Sequence, residues 1–341
     1  MPTLDNGTDT LYNWAKTRDP AGNTAKVVEI LNQKNPILRD ILYKEGNLPT
    51  GMRGSIRTGL PAVAWRLYNQ GIPATTSTET QIEWQTGHLQ AFHKVDKELA
   101  MLNGDQNAFR AMKAKAHLEA LAQEFASTIF YGNGGLTPAE FTGLSPLYSS
   151  LSAASGTNIL DGGGTGSDNL SIWLVPWGDP IHGIFPRGST AGVSHQDLGE
   201  QVDHNAGGVA GANMRVLMDV FDWKGGLAVP DWRYPTRLCN VDVSDLIASN
   251  GEGASAAKLL NFMSRMLDRP PDFEGTTPVF YMNRTAFSML RIQALNKSNA
   301  ALAVVPALDQ FGSPVGRGEM QFDGIPIHRC DALLNTESRV T

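Results

Sequence analysis

At 341 residues, with 41% hydrophobic and 18% charged positions, the chain has the composition of a folded globular protein. Its two cysteines exclude a disulfide framework or a four-thiolate zinc site, and no window approaches the roughly 18 apolar residues of a membrane-crossing helix. The net charge of −6 is uneven: residues 1–131 carry 14 Lys+Arg and 13 Asp+Glu, leaving 14 and 21 for residues 132–341, without the concentrated basic patch of a sequence-specific DNA binder.

Residues 1–23 are polar and rich in Asp, Asn, Thr and Gly, and they read as a flexible arm. The start, Met1-Pro2-Thr3-Leu4-Asp5, lacks the basic and apolar regions of a signal peptide, which points to cytoplasmic expression. A short helix follows. Asn23 or Thr24 supplies its cap, Val27, Val28, Ile30 and Leu31 its apolar face, and Pro36 closes it. Ile37, Leu38, Ile41 and Leu42 form a second apolar cluster.

From Gly46 to Phe92 the period changes from helical to alternating. Val63, Trp65 and Leu67 alternate with Ala64 and Arg66 in Ala62–Tyr68, and Ile82 and Trp84 alternate with Glu83 and Gln85 in Thr80–Leu89. Period two predicts two strands with one face covered, joined by a small polar loop at Gly71–Glu79. A lone two-stranded hairpin is marginal in water. Because nothing in residues 1–131 supplies a second layer, the sequence predicts a projecting hairpin that needs another surface, most simply another copy of the chain. An ordinary surface hairpin is the alternative.

Asp96–Tyr131 reads as helical, with Phe109, Met112, Ala116, Leu118, Leu121, Phe125 and Ile129 at helical spacing, a cap at Asn103 or Asp105, and a stop at Gly132-Asn133-Gly134-Gly135. Residues 136–240 read as loop- and strand-rich, with strands at Ser171–Trp177, Leu227–Val229 and Arg237–Val241. Helices follow at Ala254–Leu267 and Asn283–Asn296, the second capped by Asn283. Met320–Ala332 reads as one strand with Pro326 at an edge or bulge.

No pattern of catalysis stands out. The run Asp161-Gly162-Gly163-Gly164-Thr165-Gly166-Ser167-Asp168-Asn169 lacks the P-loop lysine and the dinucleotide glycine spacing, and a strand follows it where phosphate binding needs a helix N-terminus. It reads instead as a turn whose Asp and Asn side chains bond nearby backbone. His182, His195 and His204, with Asp197 and Asp203, lie in a loop-like region without HExxH or a helical His pair, so hydrogen-bonding histidines are favoured over metal ligands. His93 and His117 read as solvated, Cys239 and Cys330 as buried thiols, and Trp173, Trp177, Trp223 and Trp232 as core or interface residues. Arg53, Arg57 and Arg66 suit intersubunit ion pairs better than a nucleic-acid footprint. These readings predict no enzyme activity, no cofactor and no metal.

A longer pattern runs from Phe130 onward. Phe130-Tyr131-Gly132-Asn133, Pro138 and Phe141-Thr142-Gly143-Leu144 lead into Gly163-Gly164-Thr165-Gly166-Ser167-Asp168-Asn169 and Ser171-Ile172-Trp173-Leu174-Val175. His182-Gly183-Ile184-Phe185-Pro186, Gly188-Ser189 and Asp197-Leu198-Gly199 follow. Phe221-Asp222-Trp223-Lys224-Gly225-Gly226-Leu227, Asp231-Trp232-Arg233-Tyr234 and Gly324-Ile325-Pro326-Ile327 complete it. In order and spacing this resembles the major capsid proteins of short-tailed, epsilon-fifteen-like tailed phages.

The resemblance implies an α+β chain with the Hong Kong 97-type capsid fold. It implies an N-terminal arm at 1–45, an E-loop hairpin at 46–93, a spine-helix peripheral domain at 94–139 and 306–341, and an axial domain at 140–305. It implies a structural protein that assembles as hexamers and pentamers into an icosahedral shell around double-stranded DNA, held by weak nonspecific contact. Other implied partners are portal, scaffolding and cement or decoration proteins, with no membrane. The virion would be its location, and the host cytoplasm its place of assembly. On this reading the intersubunit contact candidates are Trp14, Ile30 and Leu31 on the arm and Arg53, Arg57, Trp65, Arg66, Tyr68 and Trp84 on the hairpin. An encapsulin-type compartment of the same fold is the alternative, and a hydrolase with a dispersed site at His182, His195 and His204 a more distant one.

Overall fold

The computed structural model describes residues 33–102, 106–204, 211–248, 259–295, 302–305 and 319–341, with side chains described in all of these but 293–295, 302–305 and 319. The chain begins with α1 (Ile37–Asp40), β1 (Tyr43–Glu45), β2 (Gly51–Gly59), β3 (Thr78–Gln85) and β4 (Gly87–Asp96). Then come α2 (Lys97–Met101), α3 (Gln106–Tyr131), α4 (Leu144–Leu147), β5 (Ile159–Asp161), β6 (Asn169–Trp177) and β7 (His182–Phe185). β8 (Val193–Asp203), β9 (Met214–Ala228), β10 (Thr236–Asp242), α5 (Val243–Ala248) and α6 (Leu259–Leu267) follow. β11 (Thr277–Met282), α7 (Arg284–Leu295), β12 (Leu302–Val305), β13 (Glu319–Phe322) and β14 (Ile325–Arg329) complete it. These elements fall into two compact units, one of residues up to 35, 88–127 and 192–224, the other of 36–87, 128–191 and 225–341.

The first unit is built on α3, whose 26 residues run about 39 Å at the helical rise and continue into the second unit. Its sheet places β9 between β4 and the edge strand β8. Phe125 stacks on Trp223 at 4.1 Å, and Val95, Ala100, Phe109 and Leu217 form a small dry cluster. A charged seam lies beside it. Arg110 donates from Nη2 to Asp219 at 2.7 Å and to Asp197 at 2.7 Å, His195 Nε2 lies 3.0 Å from Asp219, and His93 approaches the same carboxylate at 3.5 Å. Burial alone would raise Asp219, but the Arg110 and His195 contacts outweigh it and hold the carboxyl below its ordinary value.

The second unit holds a seven-stranded sheet, ordered β12-β13-β14-β11-β6-β10-β5. One face packs Ile172, Leu174, Leu238, Phe280 and Ile327 against Leu246, Leu259, Met263, Met266 and Leu290 from α5, α6 and α7. The C-terminal tail is locked to the other side of β6 and β10 by a buried ion pair. Arg237 Nη2 donates to Glu337 at 2.8 Å, Tyr131 donates to Glu337 at 2.6 Å, and Ser171 donates to it as well. Arg237 also donates to the Tyr148 carbonyl at 2.8 Å and stacks over Trp173 at 5.1 Å. Asn240 holds Val340 through both its backbone groups, at 2.8 and 2.9 Å. A chain of bonds from Trp177 to Tyr281 and on to Asp40, joined by His328, ties α1 to the same sheet.

Several expectations are met. β6, β10 and α7 fall where the pattern placed them, with Asn283 accepting from the Ala286 amide at 2.8 Å as the N-cap. Asp161 and Asn169 bond the nearby backbone of the glycine-rich turn. Both cysteines are buried, with their thiols pushed up to about 12 by desolvation.

Others are corrected. Residues 193–204 are not loop but most of a long hairpin, β8–β9. β9 is buried on both faces along much of its length, which erases the period-two signal, whereas β8 is mostly exposed and offers no apolar stripe. His93 is not solvated but buried at 4% exposure. Met320–Ala332 is not one strand but a hairpin, because Asp323 and Gly324 both take positive φ (51° and 78°) in the two-residue turn that Asp-Gly favours. Pro326 sits where β14 leaves β13 to pair with β11. The predicted helix at 24–36, the caps at 103 and 105 and the start of the helix at 254 lie outside the described residues.

Glu337→Ala should destabilise the subunit by about 3–5 kcal/mol in denaturant unfolding, because it strands the buried Arg237 charge. A loss below about 1 kcal/mol would contradict the latch. Acid should act on the first unit. Glu200, held by Arg215 and Lys97, has its pKa lowered to about 2, and Asp219 is also depressed. Carboxyls depressed in the folded state stabilise above their unfolded values of about 4, and that stability is lost as pH falls through the folded ones. Unfolding free energy should therefore drop between about pH 4.5 and 2, with a shallower slope in Asp219→Asn. An unchanged slope would remove Asp219 from the account.

Candidate assembly surface

The hairpin of the second unit is the one part of the described chain whose apolar side chains crowd together without cover. β2 and β3 pair antiparallel from Gly51↔Gln85 to Gly59↔Thr78. The ladder is braced by Arg53–Glu83 at 3.0 Å and Arg57–Glu79 at 3.3 Å, and by Asn47, which bonds both backbone groups of Arg53. Cross-strand pairs of this kind are the usual unit of sheet stabilisation. Gly54 is required by packing, since a Cβ there would stand 2.8 Å from the Trp84 ring. Trp84 thus lies across the strand it faces.

The predicted strand Ala62–Tyr68 is not one. Residues 60–77 form the irregular tip of the hairpin, closed at its neck by the Thr75 hydroxyl donating to the Ala62 carbonyl at 2.8 Å. The alternation of Val63, Trp65 and Leu67 marks side chains that nothing in the chain covers. Val63 is 92% exposed, Trp65 102% and Tyr68 98%, with Leu60 and Leu67 close behind. The paired strand lies earlier, at Gly51–Gly59, where glycines and arginines hid it from a hydrophobic reading. Single exposed apolar residues are ordinary, but a contiguous cluster of this kind marks a docking surface.

At the base of the hairpin lies a cleft of about 740 Å³, lined by Met52, Gly54, Ile56 and Trp84 on one side and by Pro230, Trp232 and Arg233 on the other. Arg233 is engaged by Asp231 in a two-pronged contact, the shorter at 2.6 Å. The sequence reading missed this cleft, and only the tryptophans hinted at it.

Of the candidate contact residues, Trp65, Arg66 and Tyr68 share the tip, and Trp84 lies at the base. Arg53 and Arg57 are paired within the hairpin. Trp14, Ile30 and Leu31 fall outside the described residues. His195 and His204 bond Asp219 and Asn213, and no group of three or more His, Cys, Asp or Glu that could hold a metal occurs among the described residues.

The sequence matches the family described as major capsid protein GP7 over residues 19–341. The chain belongs to that family. Against a chain of the bacteriophage epsilon15 structure the fold superposes with a TM-score of 0.79 at 30% identity, covering 100% of this chain and 99% of the other. The bacteriophage JBD30 capsid matches at TM-score 0.47 and 9% identity, covering 89% of this chain and 93% of that one. The SrpI encapsulin of Synechococcus elongatus PCC 7942 matches at 0.44 and 12%, covering 66% and 96%. Scores at that level carry no argument, so the encapsulin alternative gains nothing from them. No curated protein matches. This major capsid protein has the Hong Kong 97-type fold of tailed phages. It self-assembles into an icosahedral shell and resides in the virion.

Gly54→Leu should force Trp84 off the β2 strand and loosen the hairpin without touching the seven-stranded core. Hydrogen exchange should speed up in residues 51–59 and 78–85 and stay unchanged in 169–177. Equal protection of the hairpin in both proteins would contradict the packing role.

Proposed function

We propose that the shell is built from hexamers and pentamers in which the arm and hairpin of each subunit lie on its neighbours. The carrying observation is the uncovered apolar tip around Trp65 and Tyr68. Each aromatic ring brings about 150–250 Å² to a contact, worth an upper bound of about 4–6 kcal/mol at about 25 cal/mol per Å². Many such contacts per shell add through multivalency. Residues 1–45 act as the arm, 46–93 as the E-loop, 94–139 and 306–341 as the peripheral domain, and 140–305 as the axial domain. The protein works by complementary surfaces and performs no catalysis.

Double-stranded DNA is the content of the shell, and the acidic balance of residues 132–341 favours weak contact that does not hold it. Portal, scaffolding and cement or decoration proteins complete the particle, which assembles in the host cytoplasm.

Expressed alone and purified free of nucleic acid, the chain should form closed shells by electron microscopy. Trp65→Ser with Tyr68→Ser should leave subunit stability within about 0.5 kcal/mol, since neither side chain is buried, and should abolish or strongly impair shell formation. Normal assembly of this variant would overturn the role of the tip. An absolute requirement for DNA would overturn the weak-contact reading.

A further inference from the structure

The shell reading leaves open which surface receives the tip. We propose that the tip of one copy seats in the cleft at the hairpin base of the next, so that capsomers close by a repeated head-to-tail contact. This rests on the shell reading and adds its partner surface.

The tip does not use the cleft of its own chain, because Trp65 is fully exposed. The ladder runs to Gly59↔Thr78, and the Thr75–Ala62 bond keeps the tip a distinct knob at the far end of the strands from Met52 and Trp84. Knob and cleft are therefore two different surfaces on one molecule. A contact between unlike surfaces of identical chains builds a ring where the rotation closes.

The chemistry of the two surfaces agrees. The cleft is walled by Met52, Ile56, Trp84, Pro230 and Trp232, and its charged groups are engaged locally, Arg57 by Glu79 and Arg233 by Asp231. It therefore calls for an apolar, aromatic occupant. Residues 60–77 carry one charge, Arg66, amid Leu60, Val63, Trp65, Leu67 and Tyr68. A volume of about 740 Å³ lies in the range, roughly 300–1,000 Å³, that takes an occupant of several rings. The two aromatics alone bring about 300–500 Å², around half of the ~800 Å² per partner in a standard interface, and the three aliphatic side chains add to it.

Oxidative footprinting of the wild-type protein tests this directly. Trp65, Tyr68, Trp84 and Trp232 should all react in free subunits and should all be protected several-fold in shells. Protection of Trp65 and Tyr68 with Trp84 and Trp232 still at their free-subunit reactivity would overturn the proposal and leave the shell reading standing. Failure to form shells at all would overturn both.

Cysteine pairing supplies an independent measurement. Val63→Cys with Ser55→Cys in one chain should give, under oxidation of assembled shells, a ladder of linked copies ending at five and six. Val63→Cys with Leu136→Cys, placed at an exposed site outside the cleft, should not. The native thiols are buried and do not compete. Equal ladders from both variants, or linkage of Cys at 55 to residues 1–32 of any copy, would overturn the proposal.

Discussion

A two-stranded ribbon cannot bury both its faces, and that constraint organises the hairpin. Cross-strand ion pairs and the ring of Trp84 over Gly54 hold the ribbon straight. They do not give it a second layer. The free energy of its apolar tip is realised only when another molecule covers it.

The rest of the chain supplies a stable body from which such a ribbon can project. In one unit, α3 packs on β9 through Phe125 and Trp223, and the charges on that face are paired around Asp219. In the other, Arg237 and Glu337 bring the tail under the seven-stranded sheet, where each charge has several hydrogen-bond partners. Buried ions are tolerated there because none is left without a partner, a condition met by residues as far apart in sequence as Tyr131 and Glu337.

Legibility followed the physics of each segment. β6 could be read because Pro, Trp and branched residues run continuously in a fully buried strand, and α7 because Asn283 announces its cap. β9 could not, since burial on both faces removes the alternation that a reader looks for. Asp323-Gly324 was a legible turn signal that a single-strand reading passed over. At the tip, the alternation of Val63, Trp65 and Leu67 was real, but it indicated an apolar surface awaiting cover and not a strand already covered. The cleft under the hairpin, joining residues near 52 and 84 with those near 231, carried no local signal.

The sequence alone determined that residues 46–93 lack a core, that a long helix follows, that no catalytic spacing is present, and, through its pattern from Phe130 onward, the family. Those properties are local or compositional, so a linear reading reaches them. The tertiary structure decided where the paired strands lie, which histidines are buried, how the tail is latched, and that one molecule carries both an apolar knob and an apolar cleft. Each of these depends on which distant residues share a neighbourhood, and burial and pairing across such distances are settled only when the chain has folded.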